Sequence, residues 1–471
     1  MLFNSLTFLV FFAVVYSLFW WFPGWTARKR LLLTASYLFY AAWNPPYVFL
    51  LFASTSLDWW LARRISRTDQ VRRRRALLIL SLSGNLALLG YFKYGKFLLV
   101  NFTAALAAFG VHYSPPAPDI ILPVGISFYT FASLSYTIDV YRREVTADWK
   151  FADYALFVSF FPHLVAGPIV RANRLLPQIA TPRDPTAGQI GWGMSLVCMG
   201  LFGKVVMADY VFAPMVDTVY ADVGRYGAGD IWTAVLSFSG QIYYDFAGYS
   251  LCAIGLALCF GFVFPDNFRY PYAARSFSDF WRRWHISLST WLRDYLYIGM
   301  GGNRRGVWAT YRNLFLTMLI GGLWHGASWM FVLWGGLHGL YLVIERVVRG
   351  VSPAGSGRHG RPDWPGTLLV FLVIMLTWIP FRAATPAVAM DVLRGLFVFT
   401  RPNVLYPSTT MAQLLGIFAT LGWHYLQRGA SLESRFGQLR KVAQTAVIAG
   451  CLIAVFLCSG GEQRAFIYFQ F

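Results

Sequence analysis

Charge is the scarcest commodity in this chain. Only 13% of its 471 residues are Asp, Glu, Lys or Arg, where a soluble domain carries about 25%. Acidic residues are the scarcer sign, 21 against 40 Lys and Arg, giving a formal net charge of +19. In a soluble protein that excess would point to nucleic acid. Here no recognition aromatics interleave with basic residues on a polar surface, so no nucleic-acid partner is expected. Cysteine is sparse too. Cys198, Cys252, Cys259, Cys451 and Cys458 all lie in apolar stretches, with no CxxC or Cys/His spacing, which argues against a disulfide framework or a zinc site. HExxH is absent and no His/carboxylate set has ligand spacing, so no metal is expected. There is no GxSxG elbow, no P-loop and no internal repeat of the kind that builds many transporters. Residues 2–22 lack the basic n-region and the cleavage site of a signal peptide, and are expected to persist as a first span.

What the chain has in quantity is apolar surface: 57% hydrophobic and 18% aromatic residues, with no polar linker marking off soluble domains. Crossing about 30 Å of hydrocarbon takes about 20 apolar residues in a helix. Candidate spans are 2–22, 31–43, 47–62, 76–92, 119–138, 190–211, 231–262, 367–382, 410–426 and 442–458. Shorter apolar pieces lie at 97–109, 151–170, 285–300, 313–324 and 327–345. The expectation is an all-α, multi-pass integral membrane protein, with 1–471 as one membrane domain.

The basic residues sit in short runs between apolar segments and orient the spans by the positive-inside rule. Arg28-Lys29-Arg30, the run from Arg63 to Arg75, Arg142-Arg143, and Arg346 with Arg349 read as cytoplasmic. Counting spans between them places the N-terminus outside, and Arg440 and Lys441 before the last span place the tail 459–471 outside too. The Arg-rich region 265–312 reads as cytoplasmic and partly embedded, and 350–365 as a flexible loop by its Gly, Pro and Ser. Arg312 and Arg346 bracket a very apolar stretch broken at Gly321-Gly322-Leu323-Trp324-His325-Gly326. Cytoplasmic ends on both sides require the stretch to enter and return. At 1.5 Å per residue the arm 313–324 would be about 18 Å long, too short to cross, which puts His325 near a turning point inside the bilayer. An ionisable residue there is a functional candidate by default.

Seven histidines are present. His359 and His112 fit solvated roles, and His163 and His424 fit structural ones. His338 lies in WGGLHG, where glycines suggest close helix packing. His285 follows Phe280-Trp281-Arg282-Arg283-Trp284. Arginines beside indoles suit either a phosphate-bearing donor, gripped by fork-shaped hydrogen bonds, or an interfacial helix with its indoles at headgroup level.

The stretches FWRRWHISLSTWLRDYLYIGMGGNRRG (280–306) and YRNLFLTMLIGGLWHGASWMFVLWGGLHG (311–339) strongly resemble the membrane-bound O-acyltransferase (MBOAT) family, and in particular its alginate-acetylating bacterial branch. Further likeness runs through LLLTASYLFYAAW (31–43), LPVGISFYTFASLSYTIDVYR (122–142), FFPHLVAGPIVR (160–171), QIYYDFAGYS (241–250) and FIYFQF (466–471). The resemblance implies a ring of roughly ten or more transmembrane helices around a thinned central channel. It places the family's catalytic histidine on His325 and its second histidine on His285, nearer the cytoplasmic mouth. Asn303 matches the GGNR segment. The FxYxxF-like terminus implies that Tyr468 relays the acyl group, the plainer alternative being an aromatic belt at the outer interface. One departure is visible: Leu251 stands where alginate-type relatives often carry Asp, while Asp245 remains.

The activity so implied is O-acetylation of an exopolysaccharide or related envelope polymer, from the bacterial inner membrane, with a periplasmic acetyltransferase as partner. No bound cofactor is expected. Acetyl-CoA or another acetyl thioester would be co-substrate, with Arg282, Arg283 and their neighbours on its phosphates. The rival readings are a transporter or flippase without acyl chemistry and a scaffold that only recruits enzymes.

Overall fold

The computed structural model describes residues 1–116, 118–165, 167–349, 364–460, 464 and 466. Among them every regular element is a helix. The chain divides into two compact units, Met1–Met194 with Ala253–Pro265, and Ser195–Cys252 with Asp266–Phe471. Among the described residues six helices are long and apolar enough to cross a membrane: Val71–Ala108, Ala187–Ala221, Ala228–Cys259, Trp329–Val348, Trp364–Arg382 and Lys441–Cys458. The other expected spans are helical but do not reach that standard. The first is the 16-residue Leu6–Trp21 helix, and the 119–138 candidate becomes helical only at Ile126, after Pro123 and a left-handed Gly125.

In the first unit the Leu6–Trp21 helix is capped by Ser5, whose hydroxyl accepts from the Phe8 N–H at 3.1 Å. Pro45 and Pro46 then separate Trp25–Ala41 from Tyr47–Ser66. The Arg28-Lys29-Arg30 triplet lies inside a helix rather than between two. Arg28 reaches back over the Phe19 ring at 4.8 Å and pairs with Asp184 at 2.6 Å, and Lys29 pairs with Asp153. Long stems let such side chains place their charge away from apolar surface. Asp58 is fully buried, but Ser81 donates to it at 2.6 Å and Asn85 at 2.9 Å. That polar knot ties Tyr47–Ser66 to Val71–Leu89.

The second unit contains the expected hairpin, with one correction. The arm 313–324 belongs to a 19-residue helix, Val307–His325, about 28 Å long at 1.5 Å per residue. It begins before Arg312 because Gly306, at φ 87°, turns the chain and accepts from Thr310 Oγ1 at 2.9 Å. Shortness therefore does not account for His325. The residue closes a full-length helix, and Trp329–Arg349 returns against it. The two backbones meet at glycine: a Cβ on Gly322 would lie 2.8 Å from the Gly335 Cα. Small residues at such a crossing let helices approach to backbone contact. The loop expected over 350–365 falls mainly outside the described residues.

Candidate active site

His285 is held by an unusual backbone. Its φ of 43° and ψ of 54° are left-handed, a conformation that costs a non-glycine residue about 1–3 kcal/mol and persists only where its surroundings enforce it. The enforcement is visible on both sides. The Arg269 N–H donates to the Arg283 carbonyl and the Ile286 N–H to the Asn267 carbonyl, each at 2.9 Å. Two left-handed residues, Tyr270 and His285, thus flank a pair of segments cross-tied by main-chain bonds.

The Asn267 side chain fixes the ring. Its Oδ1 accepts from the Ser287 N–H at 3.2 Å and the Ser287 hydroxyl at 2.9 Å, and its Nδ2 donates to Ser250 Oγ at 3.0 Å. A backbone N–H can only donate, so the amide orientation is settled. His285 Nδ1, 3.2 Å from the same Oδ1, must then be the protonated nitrogen. In the neutral imidazole the lone pair is left on Nε2, which has no hydrogen-bond partner among the described residues.

His325 lies beside it, with ring centroids 6.5 Å apart. Both side chains are buried. Aromatic edges surround the pair. Trp334 and Trp324 are each 5.0 Å from the His325 ring and Phe381 is at 5.6 Å, while Phe246 meets the His285 ring edge-on at 4.5 Å. The structure thus brings together the two histidines singled out by motif.

The remaining candidates fall elsewhere. Arg283 is largely buried and engaged: its Nε donates to Asp279 at 2.9 Å and its Nη1 to the Arg269 and Arg428 carbonyls. It anchors its own segment rather than presenting a free guanidinium. Arg282 is 58% exposed and only 3.9 Å from Asp279, so it is the member of the pair open to an anion. Arg428 donates to Asp279 at 2.7 Å. Asn303 is exposed in the Gly301–Gly306 turn, with no contact to the histidines among the described residues. Tyr468 lies outside the described residues, but Phe466, two positions earlier, is fully buried against Tyr249 at 4.8 Å and Phe246 at 5.5 Å. His338 stacks among Trp334, Trp281 and Phe280 with its Nε2 3.3 Å from Thr377 Oγ1. His424 Nδ1 accepts from the Tyr272 N–H at 3.3 Å. Both are built into the fold. Asn267 was not visible as a site residue in sequence, where nothing distinguishes it from any polar residue in an aromatic loop.

The two imidazoles are thus buried together in a cage of rings, and the arginines gather instead around Asp279. Residues 46–381 match the MBOAT, membrane-bound O-acyltransferase family, and the chain belongs to that family. It is a membrane-bound O-acyltransferase. Among its relatives, it is 43% identical over 403 residues to the probable alginate O-acetylase AlgI of Azotobacter vinelandii, covering 85% of this chain and 78% of that protein. It is 38% identical over 414 residues to the peptidoglycan O-acetyltransferase of Helicobacter pylori, covering 82% and 77%. A teichoic acid D-alanyltransferase of Streptococcus thermophilus is 26% identical over 289 residues, covering 55% and 68%.

Proposed function

We propose that this enzyme moves an acetyl group from a cytoplasmic thioester, acetyl-CoA or its equivalent, across the bacterial inner membrane for O-acetylation of an exopolysaccharide. The relatives named for alginate and peptidoglycan acetylation support acetyl and a glycan acceptor. In this reading a ring of ten or more helices thins the bilayer around the histidine pair, with both termini outside. Only the slim pantetheine arm has to enter, because the charged remainder of the donor cannot cross hydrocarbon. Arg282 attracts the donor phosphates at the rim.

His325 is the general base, with His285 alongside it in the same cage. The Tyr468 phenol, with an ordinary pKa near 10, needs such a base to attack the thioester carbonyl. Its O–C bond forms as its proton passes to imidazole. The C–S bond then breaks, and the thiolate takes up the proton to leave as thiol. The acetyl-tyrosine presents the group on the outer side, where a periplasmic acetyltransferase passes it to the polymer.

The observation that carries this reading is the buried Phe466 ring against Phe246, which itself lies edge-on to His285. The test is labelled acetyl transfer from acetyl-CoA by reconstituted enzyme, with intact-mass analysis of the C-terminal peptide. A peptide gaining one acetyl, lost in Tyr468→Phe along with transfer, supports the relay. Transfer at wild-type rate in Tyr468→Phe removes it.

A further inference from the structure

A second buried cluster, which the proposed mechanism does not use, lies close to the tail. The Phe202–Phe212 segment is a π-helix, whose i→i+5 bonding puts Lys204 and Asp209 on one face. Lys204 Nζ pairs with Asp209 at 2.8 Å and also with Asp245 of the Ala228–Cys259 helix. Glycine permits the two helices to approach: a Cβ on Gly248 would lie 2.9 Å from the Lys204 main-chain nitrogen. Lys204 and Asp245 are almost wholly buried, and Nζ stands over the Tyr249 ring at 5.7 Å. Tyr249 is the ring on which Phe466 lies.

The tail is also tied by charge, two residues before Phe466. Arg464 pairs with Asp217, which also pairs with Arg382 at 2.7 Å. Asp217 is 40% exposed and keeps Arg382 without Arg464, so this pair ties the tail down rather than neutralising a buried charge.

We infer that Arg464 is a positioning residue: its pairing with Asp217, together with the Phe466 ring on Tyr249, docks the C-terminal segment onto the Lys204–Asp245 cluster and delivers Tyr468 to the histidines. This rests on the relay reading above. It gives Asp245 a role, holding Lys204 beneath the ring that receives the tail. It also separates the two parts of the terminus, with Arg464 and Phe466 as anchor and Tyr468 as cargo.

The test uses full-length enzyme in nanodiscs, reading hydrogen exchange of the 459–471 peptide and acetyl transfer kinetics together. Arg464→Gln should speed tail exchange by about tenfold and lower kcat by about tenfold, with the donor KM unchanged. Arg464→Lys should restore both, and Asp217→Asn, which breaks the same pair from the other side, should repeat the defect. Wild-type exchange in Arg464→Gln would overturn the dock. Faster exchange with undiminished kcat, in an enzyme that Tyr468→Phe disables, would overturn its positioning role. If Tyr468→Phe keeps full turnover, the relay reading itself fails, and the exchange result alone decides the dock.

Discussion

The surroundings of His285 and His325 differ in kind from those of Asp279, although both belong to the same unit. The histidines sit among rings and one amide, and their geometry is set by edge contacts and a single locked tautomer. Asp279 is ringed by guanidinium: Arg283 at 2.9 Å, Arg428 at 2.7 Å and Arg282 at 3.9 Å, with the Arg275 N–H donating at 3.1 Å. The contrast is between a site built from rings and one built from charge. Around Asp279 the charge is mostly spent on structure: Arg283 and Arg428 are 17–19% exposed and paired with the carboxylate, and Arg282, 58% exposed, is the one left open to solvent.

That division can be broken at several points. The largest effect is expected at His325. His325→Ala should cut acetyl transfer by 10²–10⁴-fold, the usual worth of a general base, with donor binding by equilibrium titration little changed. Next comes the tautomer lock. Asn267→Leu removes the acceptor for His285 Nδ1–H and should lower kcat about tenfold, with a displaced acidic limb in the pH–rate profile. An unmoved limb and full kcat would reduce Asn267 to loop packing.

The Asp279 cluster should respond through stability rather than chemistry. Burial alone would raise the Asp279 pKa, but Arg283, the Arg275 N–H and Arg428 outweigh it and hold the carboxyl below its ordinary range. A depressed carboxylate contributes stability above its unfolded pKa, and that contribution is lost as pH falls through the folded one. Asp279→Asn should therefore melt lower than wild type at pH 7, by about 1–3 kcal/mol, and the gap should close on acidification. Parallel melting curves at every pH would contradict this. The smallest effect falls on Arg282, the exposed member. Arg282→Gln should raise the donor KM about threefold with kcat preserved, and the rise should vanish with S-acetyl-pantetheine, which lacks the phosphates of the nucleotide.

Much of this was legible in the chain before any coordinates, and the remainder was hidden for identifiable reasons. Apolar runs announce helices wherever they occur, and the LWHG and WHISL motifs single out His325 and His285. Helix starts are less legible, because a glycine at positive φ such as Gly306 can begin a helix well before its apolar stretch. The closeness of the two histidines depends on a left-handed turn at His285 and on ties to Asn267, and a residue's handedness leaves no mark in composition. Arg283 and Arg282 are neighbours of identical chemistry, yet one is buried against a carboxylate and the other is not. Lys204 and Asp209 escape a 3.6-residue reading altogether, since only a π-helix aligns positions five apart.

The contact between Gly322 and Gly335 has a genetic consequence. Every missense change at a glycine codon adds at least a methyl group, and here that methyl would have to occupy the space of the opposing main chain. Drift at either position is closed to conservative replacement, and even alanine, the mildest exchange elsewhere in a helix, would pry apart the hairpin that ends in the proposed base. A saturation library scored for secreted acetylated polymer should show these two codons as blank columns.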